Sequence, residues 1–152
     1  ASAVTAAISA AINGYSSKEV LRLAVEAAKE AEKYRPATSE ENIAQALRQI
    51  HDDLSTQNEL TIGYLVQHYF PSKTAIIVPL AIALSLVTES AEQTILLAVN
   101  LGGDTDTVAS IGGAIAGAMF PDTVNEDWYR SVVKINGNEL LGLVESLVSI
   151  RC

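Results

Sequence analysis

Asp104, Thr105, Asp106 and Thr107 directly follow Gly102 and Gly103, inside the stretch Asn100–Pro121 that reads NLGGDTDTVASIGGAIAGAMFP. Alternating carboxylates with interleaved hydroxyls are hard-cation chemistry, and such oxygen donors suit Mg²⁺, Ca²⁺ or Mn²⁺. Paired glycines let the backbone bend and approach a ligand closely. The small and apolar run from Val108 onward puts these donors at the start of a buried helix. Asp104 reads as the helix N-cap, with Asp106 and Thr107 in the first turn, where the positive end of the helix dipole favours carboxylates. Capping alone would explain a lone DxD at a helix start. Here the glycines, the second hydroxyl and the small-residue helix occur together and favour a ligand site.

Other motif readings fail on particular residues. An EF-hand needs a glycine at its turn and a closing glutamate, and neither is present. A Walker A loop needs a lysine after the glycines. A dinucleotide-binding fold needs a strand ahead of them, whereas Glu92–Val99 follows a helix cap. His51 and His68 are isolated from any ligand cluster. His51 lies beside Asp52 and Asp53 on the polar side of its helix and reads as a surface residue. His68, near Tyr69 and Phe70, reads as a structural ring, because ligand histidines normally come with partners.

The elements that carry the acidic motif are all punctuated as helices. Ala3–Ile12 is alanine-rich, and Asn13-Gly14 is a C-terminal stop. Ser16 and Glu19 form a capping-box pattern ahead of Val20–Tyr34, which Pro36 ends. Thr38 and Glu41 form a second box before Ile43–Leu54, where Ile43, Leu47, Ile50 and Leu54 make an amphipathic stripe. Tyr64–Phe70 is helical up to Pro71, and Ile76–Val87 is a buried core helix containing Pro79. Ser90 and Gln93 form a third box before Thr94–Val99. Pro121–Asn125 is a turn, Trp128–Val133 a short helix and Asn138–Ile150 the last one, joined by a helix–helix connection at Asn136-Gly137. Gly113 and Gly117, with Ala109 and Ala116 nearby, offer a face that another helix can approach closely. The expected fold is all-α, with no sheet of consequence.

With 152 residues the chain is long enough for one domain with a core. It is 49% hydrophobic, with a mean hydropathy of +0.23. Such content implies a large core or a surface covered by something else. The net charge of −8 argues against nucleic-acid binding, which needs a basic face. No stretch reaches the roughly 18 apolar residues of a membrane span, so no membrane association is expected. The one cysteine, Cys152, has no partner for an internal disulfide, which points to a reducing, cytoplasmic compartment. No secretory signal pattern opens the chain, and its only methionine is Met119.

Asn100–Phe120 closely resembles the C-terminal signature of the ADP-ribosylglycohydrolase family. Lys73–Leu86, with Val78-Pro79, looks like the helix that precedes that signature in the family. Ala1–Gly14 looks like the helix after the family's central histidine segment. The resemblance implies that residues 1–152 form the C-terminal part of a single all-α domain, a compact multi-helix bundle. It further implies a two-metal site holding Mg²⁺ or Mn²⁺, for which Asp104, Asp106 and Thr107 match the family's Asp-x-Asp-Thr ligand segment. Gly102 and Gly103 would let the main chain lie against the ribose or phosphates of the substrate. The family's other ligand segment, Thr-Asp-Asp, has no counterpart: the only Asp-Asp is Asp52-Asp53, preceded by His51. The family's N-terminal glycine-rich motif and its acidic residue near the anomeric carbon are also absent, so no catalytic acid is identified.

The implied activity is hydrolysis of the bond joining ADP-ribose to a protein side chain or small acceptor, with this chain supplying half of the metal site. The implied partners are an ADP-ribosylated protein or ADP-ribose-containing small molecule, and the N-terminal half of the same protein or a second chain. The alternatives are an inactive, crystallin-like relative and a helical interaction module without ligand. By itself the chain is expected to hide its apolar surface by associating with such a half or by oligomerising.

Overall fold

A computed structural model describes residues 1–34, 42–56, 62–69, 74–137 and 139–151. Among these residues there are nine α-helices, one 3₁₀ turn and no strand. They are α1 (Ser2–Ile12), α2 (Ser17–Glu32), α3 (Ile43–Thr56), α4 (Ile62–His68), α5 (Thr74–Thr88), α6 (Ala91–Asn100), α7 (Thr105–Met119), α8 (Glu126–Asn136) and α9 (Glu139–Arg151). The 3₁₀ turn, Pro121–Thr123, joins α7 to α8. Thr38, Glu41, Pro36, Pro71 and Cys152 lie outside the described residues.

The all-α expectation holds, and the local chemistry explains the element ends. Glu19 closes the cap of α2, its carboxylate accepting from the Ser16 hydroxyl at 2.7 Å and the Ser16 N–H at 3.0 Å. These two bonds, the hydroxyl first, hold the Glu19 carboxyl below its ordinary value. Ser90 caps α6 by accepting the Gln93 N–H at 3.3 Å. α8 runs longer than the expected Trp128–Val133. Asn125 caps it by accepting the Trp128 N–H at 3.0 Å, and Arg130 donates to Glu126 one turn away at 2.7 Å.

α5 is the centre of the bundle. Every residue from Ile77 to Leu86 is buried, Pro79 included. A helix apolar all round belongs inside a core, and α5 meets α7, α3, α6 and α4. Leu47 and Ile50 from the expected stripe of α3 are fully buried against it. α6 and α7 form a tight antiparallel pair, and α1 packs on α2 and α7. The corner between α5 and α6 is fixed by hydroxyls. Thr88 donates to the Leu84 carbonyl at 3.0 Å, Thr94 donates to the Ser90 carbonyl at 2.7 Å, and the two hydroxyls lie 2.6 Å apart. Glu89 makes the corner itself with φ +48°, a left-handed conformation uncommon outside glycine.

The close approach occurs one step away from the expected glycine face. A Cβ at Gly112 would meet the Thr94 methyl at 2.8 Å and the Ala81 carbonyl at 3.2 Å. One at Gly113 would meet Ile95 at 2.9 Å, whereas Gly117 has nothing nearer than Val124 at 3.9 Å. Gly112 is therefore the position where α7 needs a small residue; at Gly113 the contact is with the Ile95 side chain alone, and Gly117 has room.

A polar cluster lies under α3 and α4. Asp53 is buried, and its carboxylate accepts from Gln49 Nε2 at 2.9 Å and from the Tyr64 hydroxyl at 2.9 Å. His68 stacks on the Tyr64 ring, 4.1 Å between centroids, with Nδ1 2.9 Å from the Tyr64 carbonyl oxygen. It is the structural ring expected. His51 stays partly exposed, 3.3 Å from Asp52. Burial first, then the charge of Asp53, pushes the Tyr69 hydroxyl up to about 12. The hydrogen bond to Asp53 raises Tyr64 as well. The folded chain thus keeps protons that the unfolded chain loses near its ordinary tyrosine value of about 10. Stability should fall as pH rises from about 10 toward about 12, because there the unfolded state binds fewer protons. Urea unfolding of Tyr69→Phe at mildly and strongly alkaline pH should show a shallower loss than the parent chain. An identical loss in both would refute the assignment.

Candidate metal centre at the start of helix α7

The turn between α6 and α7 is built from its glycines. Gly102 and Gly103 have φ +77° and +70°, in the left-handed region where a side chain costs about 1–2 kcal/mol. Both are exposed, so the main chain there is open to a ligand. Thr105 N–H donates to the Gly103 carbonyl at 3.0 Å, and the Val108 N–H to the Asp104 carbonyl at 3.2 Å, which starts the helix. Val108, Ala109, Gly112, Ile115 and Ala116 then bury one side of α7. The acids are thereby fixed at the end of a helix anchored in the core.

Asp104 occupies the N-cap position, but its side chain does not close the usual cap hydrogen bond. It leans toward Thr107 instead. The Thr107 hydroxyl, above all, holds the Asp104 carboxyl below its ordinary value. Asp104 and Thr107 are half-buried and Asp106 is exposed. The structure thus brings Asp104, Asp106 and Thr107 together at one helix start beside Gly102 and Gly103. Their chemistry is that of a hard-cation site in kind: two carboxylates, one held anionic, and a neutral hydroxyl. Their number falls short of six oxygen ligands. Among the described residues no group of three or more His, Cys, Asp or Glu side chains stands close enough to hold a metal ion.

Two features escaped the sequence reading. The Asp53–Tyr64–Gln49 cluster has no motif, because Tyr64 lies eleven residues from Asp53 on a different helix. The other is a cavity of about 210 Å³ lined by Ala3, Ala28, Ala31, Ile43 and Val78, with Glu32 at its wall. Glu32 Oε1 is buried there without a hydrogen-bond partner. No residue of the α6–α7 turn lines this cavity.

Among the described residues no helix is long and apolar enough to cross a membrane. The family model of the ADP-ribosylglycohydrolases matches residues 1–151. ADP-ribosylhydrolase ARH3 of Homo sapiens is 49% identical over 43 residues, 28% of this chain and 12% of the human protein. The Mus musculus and Bos taurus proteins of the same name are each 46% identical over 43 residues. The same 43 residues make up 28% of one chain and 12% of the other, so this chain spans less than half the length of these relatives. No solved structure matches the chain. The chain belongs to the ADP-ribosylglycohydrolase family.

Proposed function

We propose that residues 1–152 are the C-terminal part of an all-α hydrolase domain that cleaves the glycosidic bond between ADP-ribose and a protein side chain or small acceptor. The observation that carries this reading is the family match over residues 1–151, with Asp104-Thr105-Asp106-Thr107 intact at the start of α7. The intact acidic motif also favours a working enzyme over a crystallin-like relative. In this reading Asp104, Asp106 and Thr107 would hold Mg²⁺ or Mn²⁺, which when bound would supply positive charge for bond cleavage at the ribose.

The chain's own residues have separate tasks. Asp104 and Asp106 provide anionic oxygen and Thr107 a neutral one. Gly102 and Gly103 carry no side chain to block the ribose or phosphates, and the first N–H groups of α7 present positive potential to them. The remaining ligands come from the part of the family fold that these residues do not span, in the same polypeptide or in a second chain. A net charge of −8 favours neither nucleic acid nor an anionic membrane as partner. The reducing cytoplasm suits a chain with a single cysteine.

The test is release of free ADP-ribose from ADP-ribosylated proteins and small ADP-ribose conjugates, using a polypeptide that also carries the rest of the domain. Release is expected with Mg²⁺ or Mn²⁺, to be lost on chelation and restored by adding the cation back. Release that ignores the chelator would sink the metal assignment. No release from any conjugate would sink the hydrolase assignment.

A further inference from the structure

The alanine-lined cavity lies where three helix ends meet. Ala3 comes from the first turn of α1, Ala28 and Ala31 from the last turns of α2, and Ala44 from the start of α3. Each of these side chains is a single methyl group, so the helix ends close on one another and leave about 210 Å³ between them. An unfilled space of this kind is destabilising, because its walls lose their dispersion contacts.

Glu32 adds a carboxylate to the wall. Its Oε1 is closed off from solvent and has no hydrogen-bond partner among the described residues. An anionic oxygen so placed has given up its hydration without compensation, which native structures avoid. The cations of the described bundle are engaged or distant. Lys33 donates to Glu30 at 2.7 Å, and Lys29 lines a separate surface groove with Arg22 and Arg48. Lys18 stands fourteen residues earlier on α2, about 20 Å away along the helix. Water fits the cavity badly. A buried water needs about two to four polar partners, and among the described lining side chains only Ser2 and Glu32 are polar.

A methyl-lined slot with one carboxylate in its wall is the complement of an aliphatic stem that carries a cation. Such a side chain lays its methylenes along apolar surface and sets its charge on the acid. A single unpartnered oxygen suits the point charge of an ammonium, whereas the arginine fork takes two oxygens at once. The source of that lysine follows from length: this chain spans less than half of the relatives it matches.

We propose that this cavity is the socket for a lysine from the remaining part of the domain, with its stem among the alanines and its ammonium on Glu32. The socket is a second junction between the two parts, separate from the α6–α7 turn. It rests on the reading of residues 1–152 as part of a larger domain and is independent of the hydrolysis chemistry.

The test uses the polypeptide that carries the rest of the domain. Carbodiimide joins a carboxylate to an amine in contact with it, and peptide mass spectrometry should then find Glu32 linked to a lysine outside residues 1–152. Glu32→Gln keeps the size and removes the charge, so it should lower the melting temperature by about 5 °C or more. Ala31→Leu fills the slot from within and should lower it too, by expelling the stem. Without an occupant neither variant would be less stable than the parent: glutamine relieves an unpaired charge and leucine fills a void. Lys29→Gln, exposed on the same helix, should leave the melting temperature unchanged. The proposal is overturned by a Glu32→Gln or Ala31→Leu variant as stable as the parent, by a link from Glu32 to a residue within 1–152, or by no link at all. It is also overturned if free n-butylammonium raises the melting temperature of the parent, which would show a vacant slot. A natural protein of only 16.1 kDa would remove the larger domain and the socket together, whereas a heavier one with stable variants would remove the socket alone.

Discussion

Replacing Asp104 or Asp106 by asparagine should lower cation-dependent ADP-ribose release by at least about 100-fold, with the helix content of the chain nearly unchanged. Asparagine is the discriminating substitution. It caps helices as well as aspartate does, so a purely structural role predicts near-normal behaviour. It keeps the size and polarity of the side chain and removes the charge a hard cation needs. Alanine should act similarly on turnover, and as a lost cap it would cost about 1 kcal/mol, too little to unfold a domain of normal stability. Even that figure is generous at Asp104, whose side chain leaves the cap hydrogen bond open. Thr107→Ala should be milder, since water can replace a neutral ligand. It also removes the first of the groups that hold the Asp104 carboxyl low. The measurement is ADP-ribose release as a function of Mg²⁺ or Mn²⁺ concentration, with circular dichroism in parallel. Asparagine variants with the parent's rate and metal dependence would show these residues to be helix caps only.

The parts of this fold that were readable from sequence are those that local chemistry decides. The capping box at Ser16 and Glu19, the α3 stripe through Leu47 and Ile50, and the start of α7 after Gly102-Gly103 each depend on residues within a few positions of one another. The candidate site was legible for the same reason, since its donors occupy four consecutive positions. What escaped was decided by contacts between distant segments. Nothing local marks Asp53 as the buried acceptor for Tyr64 rather than one more solvated acid beside His51. Periodicity shows that one side of α8 and much of α9 is apolar, but it cannot say that among the described residues no other helix covers them. The small-residue face of α7 was visible, while the glycine that matters depends on where Thr94 and Ala81 fall.

That last point yields a second large effect. Gly112→Ala should destabilise the chain by about 2 kcal/mol, while Gly113→Ala should stay within about 1 kcal/mol of the parent. Both substitutions gain the helix propensity of alanine, worth about 1 kcal/mol. They differ in what the new methyl group meets. At position 112 the neighbours are the Thr94 methyl at 2.8 Å and the Ala81 carbonyl oxygen at 3.2 Å. Thr94 cannot turn away without breaking its hydrogen bond to the Ser90 carbonyl and its contact with Thr88. The Ala81 carbonyl is backbone within the buried centre of α5. The methyl group must therefore push α7 off α5 and α6, and overpacking of this kind costs about 1–3 kcal/mol and occasionally more. At position 113 the only close neighbour is the side chain of Ile95, at 2.9 Å and 3.0 Å, and Ile95 is only partly buried. A rotamer change there relieves the contact. For a chain of this size, 2 kcal/mol corresponds to roughly 4–8 °C in melting temperature, well within the reach of thermal unfolding. Equal melting temperatures for the two variants would mean that α7 does not sit against Thr94 and Ala81 as described. The same displacement would tilt the start of α7 and with it Asp104, so Gly112→Ala should also weaken cation dependence where Gly113→Ala does not.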